Sequence, residues 1–383
     1  MIYADYNGSA PLSQEVRDYL LKRFEKGPFA NPNAIHYLGA KTLMGMENAR
    51  AACAKVLGAD FDQIIFNSGA TEGISTVFHT ILSNEIHKKI IIISGIEHSA
   101  VVNTAHYYGS RGFIVKTLPV TTEGIVDLEV FHQWLKEDAN NIAMVAIMAA
   151  NNETGVIQPY QKINSECIEN NIPYLCDTTQ YIGKTPFNFK ESNIDYAVCS
   201  GHKLGAMTGT GILLAKDAEK ILALIIGGGQ EKGHRGGTQN YLGNETLAVA
   251  LSSLEKSFTN IPALTKKRME FEQNMKTSFP EIVIIGEHSP RLATTTYIAY
   301  PGIHGQAVQM ELESLDIFVT TSSACSDNMP VTSKVLKAMG ACDSVGRGVV
   351  RISLCLNSPL DYYDLLFDAL TKIYTKLLKI KSY

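Results

Sequence analysis

One lysine stands in a setting that could support covalent chemistry. Lys203 belongs to Ser200-Gly-His-Lys203, between an apolar run at 196–199 and a glycine-rich segment at 205–211. This arrangement predicts a strand, a loop and a second strand, with the lysine in the loop. Most lysines are solvated surface residues, but lysine is also the side chain that forms Schiff bases with carbonyl groups. Both interpretations stay open on this stretch alone.

Polar residues at the ends of two other predicted strands favour the second interpretation. Asp177 opens Asp177-Thr-Thr-Gln180 directly after the apolar run 172–176, and Asn152 follows the run 143–148. Enzymes that use pyridoxal phosphate need a Schiff-base lysine and an acidic partner for the pyridinium nitrogen. Asp177 could be that partner, Gln180 could contact the ring oxygen, and the Asn152 amide could bind a phenolic oxygen.

A group of small polar residues could bind the phosphate of such a cofactor. Ser68-Gly-Ala-Thr71 lies at a predicted strand-to-helix turn, where backbone N–H groups and a hydroxyl can hold an anion. Alone it is weak evidence, because such residues cap helices everywhere. With Ser200 and His202 it supplies several convergent donors. His98 could stack on an aromatic ring or move protons, and its alternative role is a helix cap or a satisfied loop histidine.

Composition excludes several classes of protein. The 383 residues are 45% hydrophobic and 19% charged, which indicates a soluble globular chain with two domains as the default. A net charge of −4 gives no basic surface for nucleic acid or an anionic membrane. No apolar run could span a bilayer and the first residues lack a basic leader, so we expect a cytoplasmic protein. The seven cysteines contain no CxxC pair, which argues against a disulfide framework and a structural zinc site.

Strands and helices alternate over the first 240 residues. A first helix is predicted from just after Ser13 to about Lys26. Further helices are predicted over 34–56 and 72–82, from after His98 to Tyr108, and over 128–137 and 161–169. Strands are predicted at 64–66, 90–94, 113–117, 143–148, 174–175, 196–198 and 211–214. This pattern predicts an α/β fold with a mostly parallel sheet covered by helices on both faces. Ligands of such sheets bind beyond the carboxyl ends of the strands, where the polar clusters fall.

The chain changes character after the glycine-rich stretch 227–240. A long helix is predicted over 240–279 with an interruption at 261–262, followed by strands near 282–285, 294–299 and 349–353. We therefore predict three parts. Residues 1–15 form an N-terminal segment that joins the small domain, residues 16–240 form the large cofactor-binding domain, and residues 241–383 form the interdomain helix and a smaller C-terminal α/β domain.

One cysteine differs from the others in its surroundings. Cys325 lies in Thr321-Ser-Ser-Ala-Cys-Ser-Asp-Asn-Met-Pro330, among small hydrophilic residues that predict an exposed loop. Free cysteine normally prefers burial, and reactive cysteines are marked by partial exposure and polar surroundings. The alternative is an incidental loop cysteine. For the other six cysteines we expect core or structural roles.

Motifs along nearly the whole chain resemble those of the cysteine desulfurase family. This family belongs to the class V aminotransferase superfamily and includes sulfur-mobilising enzymes of iron-sulfur cluster assembly. The matching segments, in family order, are Asp5-Tyr-Asn7, Asn31-Pro-Asn-Ala-Ile-His36, Ser68-Gly-Ala-Thr-Glu72, Glu97-His98, Asn151-Asn-Glu-Thr-Gly155, Asp177-Thr-Thr-Gln180, Ser200-Gly-His-Lys203, Gly227-Gly-Gly-Gln-Glu231, Arg235-Gly-Gly-Thr238 and the Cys325 loop. The resemblance implies a fold type I pyridoxal phosphate enzyme.

The resemblance also implies a role for each matched residue. Lys203 is the expected Schiff-base lysine and moves the proton during the reaction, and His98 is the expected ring-stacking residue. Thr238 matches a residue that reaches the cofactor phosphate of the neighbouring subunit, which implies an obligatory homodimer. Arg351 matches the arginine that binds the substrate carboxylate, assisted by Asn31. The remaining expected contacts are the phosphate ligands Ala70, Thr71, Ser200 and His202 and the ring contacts Asn152, Asp177 and Gln180.

The reaction implied by the resemblance converts L-cysteine to L-alanine. The Cys325 thiolate attacks the substrate sulfur, alanine leaves, and a persulfide remains on Cys325 for delivery to an unidentified acceptor protein. The acceptor could serve cluster assembly, thiolation of tRNA or DNA phosphorothioation. Two alternatives stay open. One is another class V enzyme, such as an aminotransferase or a selenocysteine lyase, and the other is a weakly active family member that acts as a binding subunit.

Three positions depart from the family pattern. Gly8-Ser9 replaces the usual Ala-Thr of the opening motif. The loop after Lys203 carries Met207 and Thr208 and lacks the basic residue found there in the family. Cys355 stands where the family usually has glycine, after the arginine that binds the substrate.

Overall fold

The computed structural model describes residues 1–321 and 331–381. Its strands are β1 (Ile2–Tyr3), β2 (Ile64–Asn67), β3 (Ile90–Ser94), β4 (Ile114–Leu118), β5 (Ile142–Ala146), β6 (Tyr174–Asp177), β7 (Tyr196–Ser200), β8 (Gly211–Ala215), β9 (Val283–Ile284), β10 (Thr295–Ala299), β11 (Ile317–Phe318) and β12 (Val349–Ser353). Its α-helices are α1 (Gln14–Lys26), α2 (Tyr37–Leu57), α3 (Ala70–Leu82), α4 (Ser99–Gly109), α5 (Leu128–Asp138), α6 (Tyr160–Glu169), α7 (Phe189–Ser192), α8 (Tyr241–Lys256), α9 (Ile261–Ser278), α10 (Gly305–Glu313), α11 (Lys334–Ala338), α12 (Asp343–Gly346) and α13 (Tyr362–Lys381). No helix within these residues is long and apolar enough to cross a membrane.

A seven-stranded sheet in the order β2-β8-β7-β6-β5-β3-β4 forms the centre of the fold. Only β8 runs antiparallel to its neighbours, so the predicted α/β fold with a mostly parallel sheet is confirmed. Strand β3 shows why both faces must be covered. Its four isoleucines are buried, and alternate side chains enter two different apolar cores, with Ile90 and Ile92 on one face and Ile91 and Ile93 on the other.

Different helices cover the two faces of this sheet. Helices α1, α2, α5, α6 and α8 contribute to the core that contains Ile92, and helices α3 and α4 contribute to the core that contains Ile91. Because the parallel strands all point the same way, their carboxyl ends lie at one edge. Strand β6 ends there at Asp177 and strand β7 at Ser200.

Most predicted helix ends agree with local capping signals. Ser13 caps α1 by accepting a hydrogen bond from the Val16 N–H, and Gly58 ends α2 in the left-handed region at φ 60°. Helix α2 begins at Tyr37 instead of the predicted residue 34. The reason is that His36 acts as its N-cap, because its Nδ1 accepts from the Gly39 N–H at 3.2 Å. The long helix predicted over 240–279 is divided into α8 and α9 by a 3₁₀ turn over Ser257–Asn260.

A further apolar core lies in the C-terminal part of the chain. The antiparallel sheet β12-β10-β9 packs with helices α9, α10 and α13 around buried apolar side chains such as Ile298 and Val350. Strand β1 pairs in parallel with β11, through Ile2 and Ile317. This pairing attaches the first residues of the chain to the C-terminal part. The division at residues 15 and 240 stays a prediction.

Candidate active site

A cavity of about 270 Å³ lies at the carboxyl ends of the central strands. Most of the residues predicted from the sequence line it. They are Ala70, Thr71, His98, Asn152, Asp177, Gln180, Ser200, His202, Lys203 and Arg351. The fold brings together side chains that are up to 344 residues apart in the chain, from Asn7 to Arg351. This volume lies near the lower end of the range for ligand pockets, which is about 300 Å³, so the cavity suits a small ligand.

One end of the cavity is built to hold an anion. Ser200 Oγ accepts a hydrogen bond from the Ala70 N–H at 2.8 Å, so the hydroxyl proton of Ser200 can be donated elsewhere. Gly69 precedes α3 at φ 151°, and a Cβ there would lie 3.2 Å from Ser200 Oγ. The hydroxyl of Ser200 therefore sits tightly against the N-terminus of a 13-residue helix, which carries a partial positive charge.

His202 adds a neutral donor to this end. Its Nδ1 lies 3.2 Å from Ser9 Oγ. Burial and the neighbouring positive charge of Lys203 lower the pKa of His202 to about 4, so the imidazole is uncharged at neutral pH. Hydroxyl, imidazole and helix N-terminus together match the acceptor oxygens of a phosphate. The donors at this end of the cavity therefore fit the phosphate of the expected cofactor.

His98 is both a helix cap and a residue of the cavity wall, and the sequence left open which of these two roles it has. It is the N-cap of α4, because its Nδ1 accepts from the Ala100 N–H at 3.1 Å. The ring also lines the cavity, so capping fixes the ring where it could stack on a cofactor. Since Nδ1 is an acceptor, the proton of a neutral His98 must reside on Nε2.

Glu97, next to His98, anchors this part of the cavity wall. Glu97 Oε1 accepts hydrogen bonds from Ser94 Oγ at 2.5 Å and from the N–H of Met148, which lines the cavity, at 3.1 Å. Burial raises the pKa of Glu97 to about 8, an effect that these hydrogen bonds only partly offset. Its carboxyl group is therefore mostly protonated at neutral pH.

Lys203 reaches into the cavity from the 3₁₀ turn after β7. Its Nζ donates to the backbone oxygens of Asn7 at 2.8 Å and Gly8 at 2.5 Å. The N-terminal segment thus packs directly against the lysine. The packing of this segment also explains why Gly8 replaces the alanine that the family usually has, since a Cβ at Gly8 would collide with the carboxylate of Asp5.

Arg351 lies in the middle of β12 with its side chain only 3% exposed. Its Nη1 donates to Asn152 O at 2.9 Å, and its Nη2 pairs with Asp5 Oδ1 at 2.5 Å. Its Nε is buried without a hydrogen-bond partner among the described residues. Since a buried N–H without a partner is costly, the guanidinium is left able to bind one more acceptor, such as a carboxylate.

The single chain does not bring every predicted residue to the cavity. Asn31 and Thr238 are exposed and do not line it. Their segments lie beside each other, because Asn33 Nδ2 donates to Gln239 Oε1 at 3.0 Å. Cys325 lies outside the described residues.

The other cysteines divide into two groups. Four of them are buried as expected, namely Cys53, Cys167, Cys176 and Cys199. Cys342 is not a core residue, because it precedes the short helix α12 and is exposed. Cys355 is half-buried, with its Sγ 3.3 Å from Ser358 Oγ.

Sequence reasoning missed two residues at the site. Asn7 lines the cavity, and its backbone oxygen accepts from both Lys203 and Gln180. The signal was present, because Asn7 belongs to the matched opening motif. Lys184 lies behind Gln180 and is buried, and its place four residues after Gln180 carried no recognisable pattern.

Comparison with known proteins agrees with this fold. A family model described as Aminotransferase class-V matches residues 2–365. The cysteine desulfurase IscS of Dictyoglomus turgidum is 32% identical over 100% of this chain and 96% of that protein. Among solved structures, a NifS-like protein has a TM-score of 0.89 and 32% identity, and covers 98% of this chain and 100% of its own. A structure of SspA in complex with cysteine has a TM-score of 0.80 and 29% identity, with 92% of this chain and 99% of that chain covered.

The mostly parallel sheet and the family match define the class of protein as a class-V aminotransferase. Within this class the match to IscS extends over 100% of this chain and 96% of that protein. The chain belongs to the cysteine desulfurase family.

Proposed function

We propose that this protein is a pyridoxal phosphate-dependent cysteine desulfurase. It converts L-cysteine to L-alanine and transfers the sulfur to Cys325 as a persulfide. The observation that carries the proposal is the cavity in which Lys203, Asp177 and Arg351 meet. The full-length similarity to a cysteine desulfurase and the likeness to a structure that holds cysteine support the choice of substrate.

The cavity residues would hold the cofactor at both of its ends. The Ala70 and Thr71 turn, Ser200 and His202 would bind the phosphate. The ring would lie between them and Asp177, with His98, Asn152 and Gln180 in contact with it. Bound pyridoxal phosphate supplies an aldehyde for Lys203 and a ring that takes up the electron pair left when the substrate loses its α-proton.

The protein's own groups would perform the remaining steps. Arg351 binds the substrate carboxylate, because its Nε has no other partner among the described residues. The Lys203 amine removes the α-proton and returns one later. The Cys325 thiolate attacks the substrate sulfur, so that an S–S bond forms and the C–S bond breaks. The C–S electron pair stays with the substrate carbon, which takes up a proton to complete alanine.

We further propose that the active protein is a homodimer, in which Thr238 of one subunit contacts the cofactor phosphate of the other. Large apolar side chains are exposed near the segments that carry Asn31 and Thr238, including Ile35, Tyr37 and Ile226. Exposed apolar groups of this size often mark an interface. We expect light scattering to give the mass of two chains at micromolar concentration, and a mass of one chain would contradict the proposal.

We also propose that the persulfide is delivered to an acceptor protein in the cytoplasm. Iron-sulfur cluster assembly and tRNA thiolation are the pathways that the family resemblance supports. The net charge of −4 favours a protein acceptor over direct contact with nucleic acid.

The reaction can be tested by its products. Incubation of the purified protein with L-cysteine and a thiol reductant should yield equal amounts of alanine and sulfide. The Cys325→Ala variant should lose both products by at least about 100-fold, since the acceptor nucleophile is gone. Cys342→Ala is the matched control, because this exposed thiol does not line the cavity, and it should retain full turnover.

Other outcomes would point to the alternatives. Full turnover by Cys325→Ala would show that no persulfide forms on this residue, as in a selenocysteine lyase or an aminotransferase. A wild-type protein that binds the cofactor but forms neither product would favour a binding subunit.

A further inference from the structure

A second lysine lies behind the candidate active site. Lys184 follows β6 in a turn and is only 8% exposed. It does not line the first cavity, but it lines a neighbouring cavity of about 350 Å³ that Lys203 also borders. Buried lysines are rare unless their polar end is satisfied. The contacts of this amine therefore indicate what it does.

Lys184 fixes the orientation of two side-chain amides. Its Nζ donates to Asn7 Oδ1 at 2.5 Å and to Gln180 Oε1. Both amide oxygens face Lys184 Nζ, and both NH₂ groups therefore face away from it. Gln180 Nε2 accordingly donates to Asn7 O at 2.9 Å, and Asn7 Nδ2 donates to Thr295 Oγ1 at 3.1 Å. Without Lys184, either amide could rotate by half a turn.

This network ends at Lys203. The backbone oxygen of Asn7 accepts from Gln180 Nε2 and from Lys203 Nζ at 2.8 Å. Any rotation of the Gln180 amide would place its oxygen against that of Asn7, and the two acceptors would repel. One of the two backbone contacts of the Lys203 amine therefore belongs to an arrangement that Lys184 holds, and the other is Gly8 O at 2.5 Å.

A neutral Lys184 amine is suited to orienting the Asn7 and Gln180 amides. Burial lowers its pKa well below the usual value, and the positive charges of Lys203 and Arg351 lower it further, with Asp5 opposing them. His202, beside Lys203, is neutral for similar reasons. A neutral amine has two N–H donors, and here it has two amide acceptors. It thus orients both amides without adding a positive charge next to Lys203.

We propose that Lys184 is a positioning residue that orients the Asn7 and Gln180 amides and thereby places the Lys203 amine and the Gln180 donor for the cofactor. This inference rests on the proposed function, since it assigns Lys203 and Gln180 to cofactor binding. Lys184 itself does not line the cavity proposed to hold the cofactor.

The holoenzyme provides a readout that is independent of turnover. The visible absorbance of the bound cofactor is titrated with pH in the wild type, Lys184→Met, Gln180→Ala and the double variant. We expect Lys184→Met to move the midpoint upward by at least about 0.5 unit, because Gln180 no longer holds its Nε2 donor toward the ring oxygen. In the Gln180→Ala background the same substitution should have almost no further effect. Lys190→Met is the matched control, because Lys190 is exposed and pairs with Asp60.

Two results would overturn the inference. One is an unchanged midpoint in Lys184→Met, and the other is an equal shift with and without Gln180, which would mean a merely structural role. If Lys184→Met does not fold, Lys184→Leu takes its place under the same criteria, since leucine also lacks a donor and carries no charge.

Failure of the proposed desulfurase function can be distinguished from failure of the role proposed for Lys184. A protein that shows the coupled shift but forms no alanine would refute the desulfurase activity alone. If the protein binds no pyridoxal phosphate, the pKa of Lys203 is measured by pH-dependent reductive methylation and mass spectrometry. Lys184→Met should then lower that pKa, because Asn7 O no longer holds the ammonium, and an unchanged value would refute the role of Lys184.

Discussion

Replacing Lys203 with alanine is expected to lower alanine formation from L-cysteine by at least about 1,000-fold. The variant loses both the amine that binds the cofactor covalently and the base that moves the α-proton. None of the other described lysines lines the first cavity to replace it. Product formation is measured by chromatography under saturating cofactor, and the visible absorbance band of the protein-bound cofactor should change in position.

Lys190→Ala serves as the control for this prediction. Lys190 is another lysine of the same domain, and its exposed amine pairs with Asp60 at 2.6 Å. Surface ion pairs contribute little, so turnover should stay unchanged. Retention of more than a tenth of wild-type turnover by Lys203→Ala would remove this lysine from the mechanism.

Replacing Arg351 with methionine is expected to lower kcat/KM for L-cysteine by about 100- to 1,000-fold. The guanidinium would otherwise bind the substrate carboxylate in a water-poor cavity, where such a charged hydrogen bond is strong. Cysteamine lacks the carboxylate, so its much lower kcat/KM should hardly change. The measured quantity is the ratio of the two values, which should fall nearly to one in the variant.

Arg347→Met is the matched control for Arg351. Arg347 lies four residues earlier and its exposed side chain pairs with Asp343 at 3.2 Å. Its loss should leave the ratio unchanged. Because Arg351→Met leaves Asp5 without its partner, thermal unfolding is recorded as well. A folded Arg351→Met protein that still discriminates against cysteamine would assign carboxylate binding to another residue.

Local signals made most of the fold predictable. The four isoleucines of β3 predict a buried strand, and Ser13 and Gly58 mark helix ends through hydrogen bonding and backbone conformation. The start of α2 was harder to predict from the sequence. His36 is an unusual N-cap, and only the three-dimensional structure shows its Nδ1 against the Gly39 N–H.

The site was predictable where its residues belong to matched motifs, as with Asp177 and Lys203. Lys184 was not, because its partner Asn7 lies 177 residues away and no local pattern connects them. Asn31 and Thr238 are a different case. They are exposed in the single chain, so a sequence or a monomer cannot show what they contact.

The buried carboxyl group of Glu97 links the folding equilibrium to proton concentration. An exposed glutamate in the unfolded chain loses its proton near its ordinary pKa of about 4.3, whereas Glu97 in the folded chain keeps it up to about pH 8. Folding between these values therefore takes up a proton, and stability falls as the pH rises. This single group should destabilise the fold by about 3 kcal/mol between pH 5 and pH 7. Since Glu97 holds the Met148 N–H beside the cavity, mild acidity should favour an intact wall around His98.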